Sequence, residues 1–367
     1  MAISRISRVR TTEAGAGSGC FHVETDSSED TRPNLASQPI GRTSHLQGPA
    51  DREMIERTYA HMRSIYHLKA THTDSSGDET WLRVAVDEVE REDLVAKTWF
   101  ITGASKGFGR EWTEAALERG DKVAATARNP ETLEALVNTY GDAVLPIQLD
   151  VTDRVADFQA VKKAANYLGK LDVVVNNAGY GHFGAIEELS EEDVRSQLET
   201  NLFGALWVTQ AALPIMRAQR SGHIIQVSSI GGISAFPTVG AYHASKWALE
   251  GFSQALSQEV AGFGIKVTLI EPGGYSTDWA GPSAKHSDEN PAYSGVRDAR
   301  NRSRAGTPSG DPKATRAAIL KVVDADDPPL RIFFGKVPLG VATAEYESRL
   351  ATWNEWQPIS VEAHGSE

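Results

Sequence analysis

The sequence predicts an α/β fold: a doubly wound, Rossmann-like parallel sheet of about seven strands, forming a single domain over residues 98–367. Three observations lead there. From Thr98 onward short apolar runs alternate with helical segments, the pattern of a sheet covered on both faces. The first run enters a glycine-rich turn that opens a helix. A Tyr and a Lys four positions apart begin the helix that follows the fifth run.

Six runs suit burial on two faces: TWFIT (98–102), KVAAT (122–126), AVLPIQL (143–149), LDVVVN (171–176), GHIIQVS (222–228) and KVTLIE (266–271), with RIFFG (331–335) as a seventh. The helical segments between them, 110–119, 131–139, 155–168, 191–218 and 243–262, are each long enough for a right-handed crossover. Asp311 and Pro312 then supply an N-cap and a first-turn proline for the segment KATRAAILKVV. A last helix over 339–356 carries Tyr346, Leu350, Trp353 and Trp356 at near-helical spacing, a face that suits packing beside a pocket or a dimer contact.

In the glycine-rich turn, Thr102, Gly103, Ala104, Ser105, Lys106, Gly107, Phe108 and Gly109 precede a helix beginning near Arg110. Glycines permit a tight turn and close backbone approach to a pyrophosphate, while the N–H groups and dipole of a helix N-terminus favour an anion. An ordinary strand–helix connection is the competing reading of this motif taken alone. The second strand ends in Thr126-Ala127-Arg128, with no acid where NAD-specific folds hold the ribose diol. An aspartate there would repel a 2′-phosphate. Arg128 can bond one and Lys106 can reach it from the turn, so NADPH is the expected cofactor. Two solvated surface cations are the alternative.

Ser228 and Ser229 close the fifth strand, and Tyr242-His243-Ala244-Ser245-Lys246 opens the long helix after it. Positions 242 and 246 share a helix face, which puts an ammonium near the phenol. A free phenol titrates at about 10, and an adjacent cation is expected to lower that value and make Tyr242 a usable acid or base. Ser229, 13 residues upstream at the carboxyl edge of the sheet, is placed to orient the reacting oxygen. No G-x-S-x-G turn surrounds it, which argues against a nucleophile-elbow hydrolase.

With these motifs in this order, the sequence resembles the short-chain dehydrogenase/reductase family over residues 98 to about 280. The matching residues are Thr102 to Gly109 as T-G-x-x-x-G-x-G, Leu149-Asp150-Val151, Asn176-Asn177-Ala178-Gly179, Thr200-Asn201, Ser229, Tyr242-x-x-x-Lys246 and Pro272-Gly273. The resemblance implies hydride transfer between NADP(H) and an alcohol or carbonyl, with Asn201, Ser229, Tyr242 and Lys246 as the catalytic set. It further implies that Asp150 contacts adenine and that Val151, Asn177, Ala178, Gly179, Pro272 and Gly273 lie along the cofactor. Lys246 would also bond the nicotinamide ribose, and Asn201 would hold a water linking Lys246 to solvent. The stretch Val227 to Phe263, with SSIGG, YHASKWALEGF and GFG, looks similar to the hydroxysteroid and retinol dehydrogenase branch, which implies a bulky apolar alcohol, ketone or aldehyde. The turn's spacing is unlike that of the family's extended, sugar-nucleotide branch. The competing function is an NADPH-binding sensor or interaction module without turnover, which the intact Asn201, Ser229, Tyr242 and Lys246 disfavour.

Hydride transfer needs water excluded, so some segment must cover the site. Residues 274–310, polar and rich in Gly, Pro and Ser yet holding Tyr275, Trp279 and Tyr293, are expected to be that mobile loop. Tyr180, His182, Phe183, Phe236, His243, Tyr275 and Trp279 are the candidate substrate-pocket residues, with ordinary packing the competing reading for each.

The formal charge of −12 disfavours a nucleic-acid surface, so a small molecule is the expected partner. The single cysteine, Cys20, excludes an intramolecular disulfide. No metal site is expected: His61, His67 and His72 are 6 and 5 positions apart, not at the 3- or 4-residue spacing of a helical ligand pair. No apolar run approaches the roughly 20 residues of a spanning helix and no signal peptide opens the chain, so a cytoplasmic protein is expected. Residues 1–97 read as a leader, mostly disordered, with one amphipathic helix over 51–70. A natural start at Val95, from a GUG codon, is the explanation the sequence suggests for it. The family's habit of pairing through the helices here at 191–218 and 243–262 implies a homodimer or homotetramer.

Overall fold

The computed structural model describes residues 96–281 and 283–365, together with four strands among the first 95 residues. The chain divides into two units, Met1–Val95 and Ala96–Glu367. In the first, β1 (Ile6–Thr12), β2 (Cys20–Glu24), β3 (Lys69–Asp74) and β4 (Trp81–Ala85) form an antiparallel sheet in the order β2-β1-β4-β3. β1 and β2 fall where the sequence suggests no order, because alternations as short as Phe21 and Val23 do not stand out from a Ser- and Gly-rich background. The helix expected over 51–70 lies outside the described residues, except that Lys69 and Ala70 open β3.

The strands of the second unit are β5 (Thr98–Ile101), β6 (Lys122–Ala127), β7 (Val144–Gln148), β8 (Val173–Asn176), β9 (His182–Phe183), β10 (Gly222–Val227), β11 (Ile265–Pro272), β12 (Lys285–His286) and β13 (Arg331–Phe334). β9 and β12 pair with each other, and the other seven form one parallel sheet in the order β13-β11-β10-β8-β5-β6-β7. All seven expected runs are strands of that sheet. The helices are α1 (Gly107–Arg119), α2 (Glu134–Tyr140), α3 (Arg154–Leu168), α4 (Glu191–Leu198), α5 (Gly204–Gln219), α6 (Gly240–Val260), α7 (Ser294–Arg304), α8 (Thr315–Asp324) and α9 (Pro338–Glu362). Among the described residues no helix is long and apolar enough to cross a membrane.

Strand alternation builds two cores. Trp99 and Ile101 face the layer that holds Trp112 and Ala116 of α1 and Ile319 and Val323 of α8. Phe100, between them, faces Val161 and Ala164 of α3 and Val208, Ala212 and Met216 of α5. Two polar ties fix α1 to α8 across the first layer: Trp112 Nε1 donates to Thr315 Oγ1 at 2.8 Å, and Arg316 pairs with Glu111 and Glu118 at 2.6 and 2.7 Å and with Glu114. Helix ends follow local chemistry. Gly120 stops α1 at φ 97°, Asp153 caps α3 by accepting from Val155 N and Ala156 N, and Ser190 with Asp193 caps α4 reciprocally. Asp311 accepts from Lys313 N at the start of the turn Pro312–Ala314 that leads into α8.

Three segments differ from expectation. The single helix foreseen over 191–218 is broken by a π-helical turn at Glu199–Phe203, which gives α4 and α5. The last helix continues through Pro358 to Glu362, along a solvent-exposed stretch where the carbonyl freed by proline meets water. The segment 274–310, foreseen as a loop, contains β12 and α7.

The strand order reverses between β5 and β8, and a crevice opens there at the carboxyl ends of the strands. Thr102 holds its two sides together. Its Oγ1 accepts from Asn177 N at 2.9 Å and Ala178 N at 3.0 Å and donates to Val175 O at 3.3 Å, while Asn177 Nδ2 donates back to Thr102 O at 2.9 Å. Thr102→Val preserves shape but strands two N–H groups, so unfolding free energy is expected to fall by about 2–4 kcal/mol in denaturant titration, with Thr102→Ser near wild type.

Candidate active site

The turn between β5 and α1 is a backbone cradle. Gly103 has φ +66°, in the left-handed region. A Cβ on Gly109 would lie 2.3 Å from Gly103 O and 2.5 Å from Asn177 Nδ2, so only glycine lets α1 begin this close to the turn. Lys106, at the N-cap, makes no side-chain bond to the helix, which leaves the first N–H groups of α1 open to an anion.

A cavity of about 2260 Å³ runs from this turn along the carboxyl ends of the strands. Gly103, Ser105, Lys106, Gly107 and Phe108 line it from the turn, Arg128 from the end of β6, and Asp150 and Val151 from beyond β7. Asn177, Ala178, Gly179 and Tyr180 follow β8; Ser229 follows β10; Tyr242, His243 and Lys246 come from α6; Pro272 and Gly273 come from the end of β11. Phe236, Tyr275 and Trp279 also line it, whereas Thr102, Gly109 and Asn201 do not. Arg128 is exposed, and among the described residues no carboxylate pairs with it. Lys106 Nζ lies 3.0 Å from Asp278 Oδ2, both half-exposed. Asp150 Oδ1 accepts from Thr152 N and Oγ1 at 3.1 and 2.9 Å.

At the reacting end, Ser229 hydrogen-bonds the phenol of the buried Tyr242 and accepts from Gly231 N at 3.0 Å. Lys246 Nζ donates to Val227 O at 2.7 Å and lies 5.8 Å from the centre of the Tyr242 ring. The Trp279 ring sits over Tyr242 at 4.8 Å between centres, in space that exists because residue 181 is glycine: a Cβ there would be 2.6 Å from the indole. Both nitrogens of His243 are committed, Nδ1 to Gly231 O at 2.9 Å and Nε2 accepting from Phe236 N at 3.0 Å, so this histidine fixes the loop that carries Ser229.

Electrostatics corrects one expectation. Burial pushes the Tyr242 phenol up to about 12 against the pull of the Ser229 bond, and it brings the Lys246 ammonium down to about 8. The ammonium is not among the influences on the phenol, and its Nζ is turned toward Val227 O. At neutral pH Tyr242 keeps its proton and Lys246 its charge.

Asn201 is buried, and its side-chain amide bonds protein on both sides: Oδ1 accepts from Tyr180 N at 3.0 Å, and Nδ2 donates to Tyr180 O at 2.9 Å and Ser245 Oγ at 3.2 Å. It clamps the 179–181 turn. His182 and Phe183 are corrected from pocket lining to pocket support. His182 Nε2 is 2.8 Å from Ser287 Oγ with Asp193 Oδ1 3.7 Å from Nδ1, and Phe183 stacks on His286 and meets the edge of Trp279. Together they anchor β12 and hence the covering segment. Sequence reasoning missed Gln197, fully buried in α4, which accepts from His182 N and donates to Tyr180 O, both at 2.9 Å. Nothing in its acidic neighbourhood marks it as interior.

The short chain dehydrogenase family model matches residues 97–288. Oxidoreductase BOA17 of Botryotinia fuckeliana is 44% identical over 271 residues, spanning 73% of this chain and 99% of the relative. A 3-ketodihydrosphingosine reductase of Bacteroides thetaiotaomicron is 38% identical over 239 residues, 64% of this chain and 86% of the relative. Among solved structures, a short-chain dehydrogenase from Streptomyces avermitilis matches with TM-score 0.70 at 40% identity, covering 74% of this chain and 99% of that one. A serine dehydrogenase complexed with NADP+ matches with TM-score 0.58 at 27% identity, covering 65% and 95%. For the turn itself, Gly109→Ala is expected to cost about 1–3 kcal/mol and to weaken nucleotide binding, read by thermal unfolding with and without nucleotide.

Proposed function

This chain belongs to the short-chain dehydrogenase/reductase family, and from that premise we propose that it interconverts a bulky apolar ketone or aldehyde and its alcohol with NADP(H), using Tyr242 as the proton-transferring group. The observation that carries the reading is the meeting of the Ser229 hydroxyl, the protonated Tyr242 phenol and the Lys246 ammonium on one wall of the cavity.

The cofactor reading is supported by residues that fit it. The open N–H groups of α1 and the glycine cradle would take the pyrophosphate, Asp150 and Val151 the adenine, and Arg128, with no carboxylate opposite it among the described residues, the 2′-phosphate. Lys246 would hold the nicotinamide ribose. What a bound NADPH supplies is hydride for the carbonyl carbon. In reduction, Ser229 orients the carbonyl oxygen and Tyr242 gives it a proton, and the nearby ammonium steadies the phenolate left behind. In oxidation the same groups work in reverse. Trp279, with Gly181 making room for it, helps close the reacting end against water. An apolar substrate is supported by Phe236, Trp279, Val296 and Val341 on the lining, and a keto group by the relative named 3-ketodihydrosphingosine reductase.

The test is a panel of hydrophobic ketones and alcohols with NADPH and NADP+. Tyr242→Phe is expected to lower kcat by about 10²–10⁴ while leaving nucleotide affinity in place; full turnover in that variant sinks the reading. Arg128→Ala is expected to lower the NADPH-over-NADH ratio of kcat/KM by about tenfold, the scale of one charge-assisted bond at an exposed site. An unchanged ratio removes Arg128 from the cofactor site.

A further inference from the structure

One wall of the cavity is a helix fastened from outside it. In α7, Val296, Ala299, Arg300 and Ser303 recur at helical spacing and line the cavity. Arg297 lies off that stripe and meets Glu188, at the end of the turn Ile186–Glu188. The two side chains are 16% and 2% exposed, and neither lines the cavity.

Glu188 uses both carboxyl oxygens. Oε1 accepts from Asn290 N at 2.7 Å and Arg297 Nη1 at 2.8 Å, and Oε2 accepts from Ala185 N at 2.7 Å and from the same Nη1 at 3.1 Å. Arg297 Nη2 closes the ring by donating to Asn290 O at 2.6 Å, and Asn290 Oδ1 accepts from Ala292 N at 3.0 Å in the turn that enters α7. One carboxylate thus holds both the entrance to α7 and its first turn. Tyr293 Oη donates to Glu187 Oε2 at 2.5 Å beside it, in the open, where solvent competes for both groups. The backbone that carries Glu188 is tied in the other direction to the helix of the phenol: Gly184 N donates to Thr238 O at 2.9 Å and Gly184 bridges Val239, just before α6 begins at Gly240.

We propose that Glu188 is a positioning residue for substrate selection: it bolts α7 to the 184–188 backbone and so fixes the spacing between the apolar wall of the cavity and the reacting phenol. The inference rests on the proposed reading of the reaction. A carboxylate buried this far is stable because a guanidinium and two backbone N–H groups meet it, and removing its charge undoes that arrangement. An amide in its place has one acceptor oxygen for two backbone donors and turns N–H toward N–H. Loss of the bolt lets α7 move away from a pocket whose other walls stay in place, so contacts to the apolar part of a substrate weaken while the nucleotide cradle is untouched.

Glu188→Gln tests it by hydrogen exchange and kinetics on the whole protein. Amides 294–304 are expected to exchange at least about tenfold faster than in wild type, with those of β10 and α6 unchanged. In NADPH-linked reduction of 2-decanone, KM should rise about tenfold with kcat within about twofold and NADPH affinity unchanged, and the kcat/KM preference for 2-decanone over 2-butanone should fall by about the same factor. Arg297→Lys, which keeps a cation for Glu188, should return most of that preference. Exchange of α7 at the wild-type rate overturns the proposal, as does a loosened α7 with KM and preference unmoved. A loss of NADPH affinity in step with the rise in KM overturns it too, since that marks a general loosening. Should wild type turn over no ketone or alcohol of the panel, the reading of the reaction fails and the exchange rates still decide whether Glu188 holds the wall. Arg297→Met, which leaves Glu188 its two backbone donors, carries the same measurements if Glu188→Gln does not fold.

Discussion

The burial of a phenol and an ammonium within one turn of α6 is the constraint on which the rest of this site depends. Water is the ordinary stabiliser of a charged side chain, and Tyr242 and Lys246 have almost none. Taking water away works against phenolate and ammonium alike, so the phenol stays neutral until chemistry demands otherwise and the lysine needs fixed partners to stay charged. For the lysine that partner is a backbone carbonyl at Val227, and for the phenol a hydroxyl at Ser229. A phenol that stays neutral keeps a proton to give to a carbonyl oxygen, and because its raised value makes it a weaker acid than a free phenol, that transfer depends on whatever stabilises the phenolate as the proton leaves.

Rigidity around this pair comes from polar side chains that bond to backbone rather than to each other. Thr102 and Asn177 lock the two sides of the switch point, Asn201 and Gln197 clamp the turn after β8, and His243 fixes the loop after β10. All but the half-buried Asn177 are buried, and their bonding is nearly complete, so moving any one of them strands a donor or an acceptor. The reacting atoms are therefore positioned by a frame that is expensive to deform, and the covering segment is attached to the same frame through β9 and β12.

Most of the fold was legible in the sequence, because a strand buried on both faces must be a contiguous apolar run and a dinucleotide turn must be glycine-rich. That Ser229, Tyr242 and Lys246 line one cavity was legible for a similar reason, since a four-residue spacing puts Tyr242 and Lys246 on one helix face at the carboxyl edge of the sheet. What the sequence hid is what only pairing decides. The π turn at Glu199–Phe203 goes with the bonds of Asn201 to residues about 21 and 44 positions away, and no local pattern encodes those. His182 and Phe183 looked like pocket residues because aromatic side chains beside a motif carry no sign of direction, and their partner strand lies about a hundred residues on. The burial of Glu250 and Glu271 around Arg331 is hidden too, since composition cannot show that one arginine serves both. The phenol's acidity was misjudged because spacing reports a neighbouring cation but not the loss of solvent around it.

The ties between α1 and α8 bear on how the protein comes into being. Trp112 waits for Thr315, 203 residues later, and the acidic face of α1 waits for Arg316, 205 residues after Glu111. Until those arrive, three like-charged glutamates share one helix surface with only the Arg110–Glu114 pair of the same helix to offset their repulsion, and an indole N–H lacks its acceptor. On a ribosome, the nucleotide-cradling end of the molecule is thus made early and completed late. Contacts of such high order slow the final assembly, and the emerging chain must remain soluble with its first helix half-anchored.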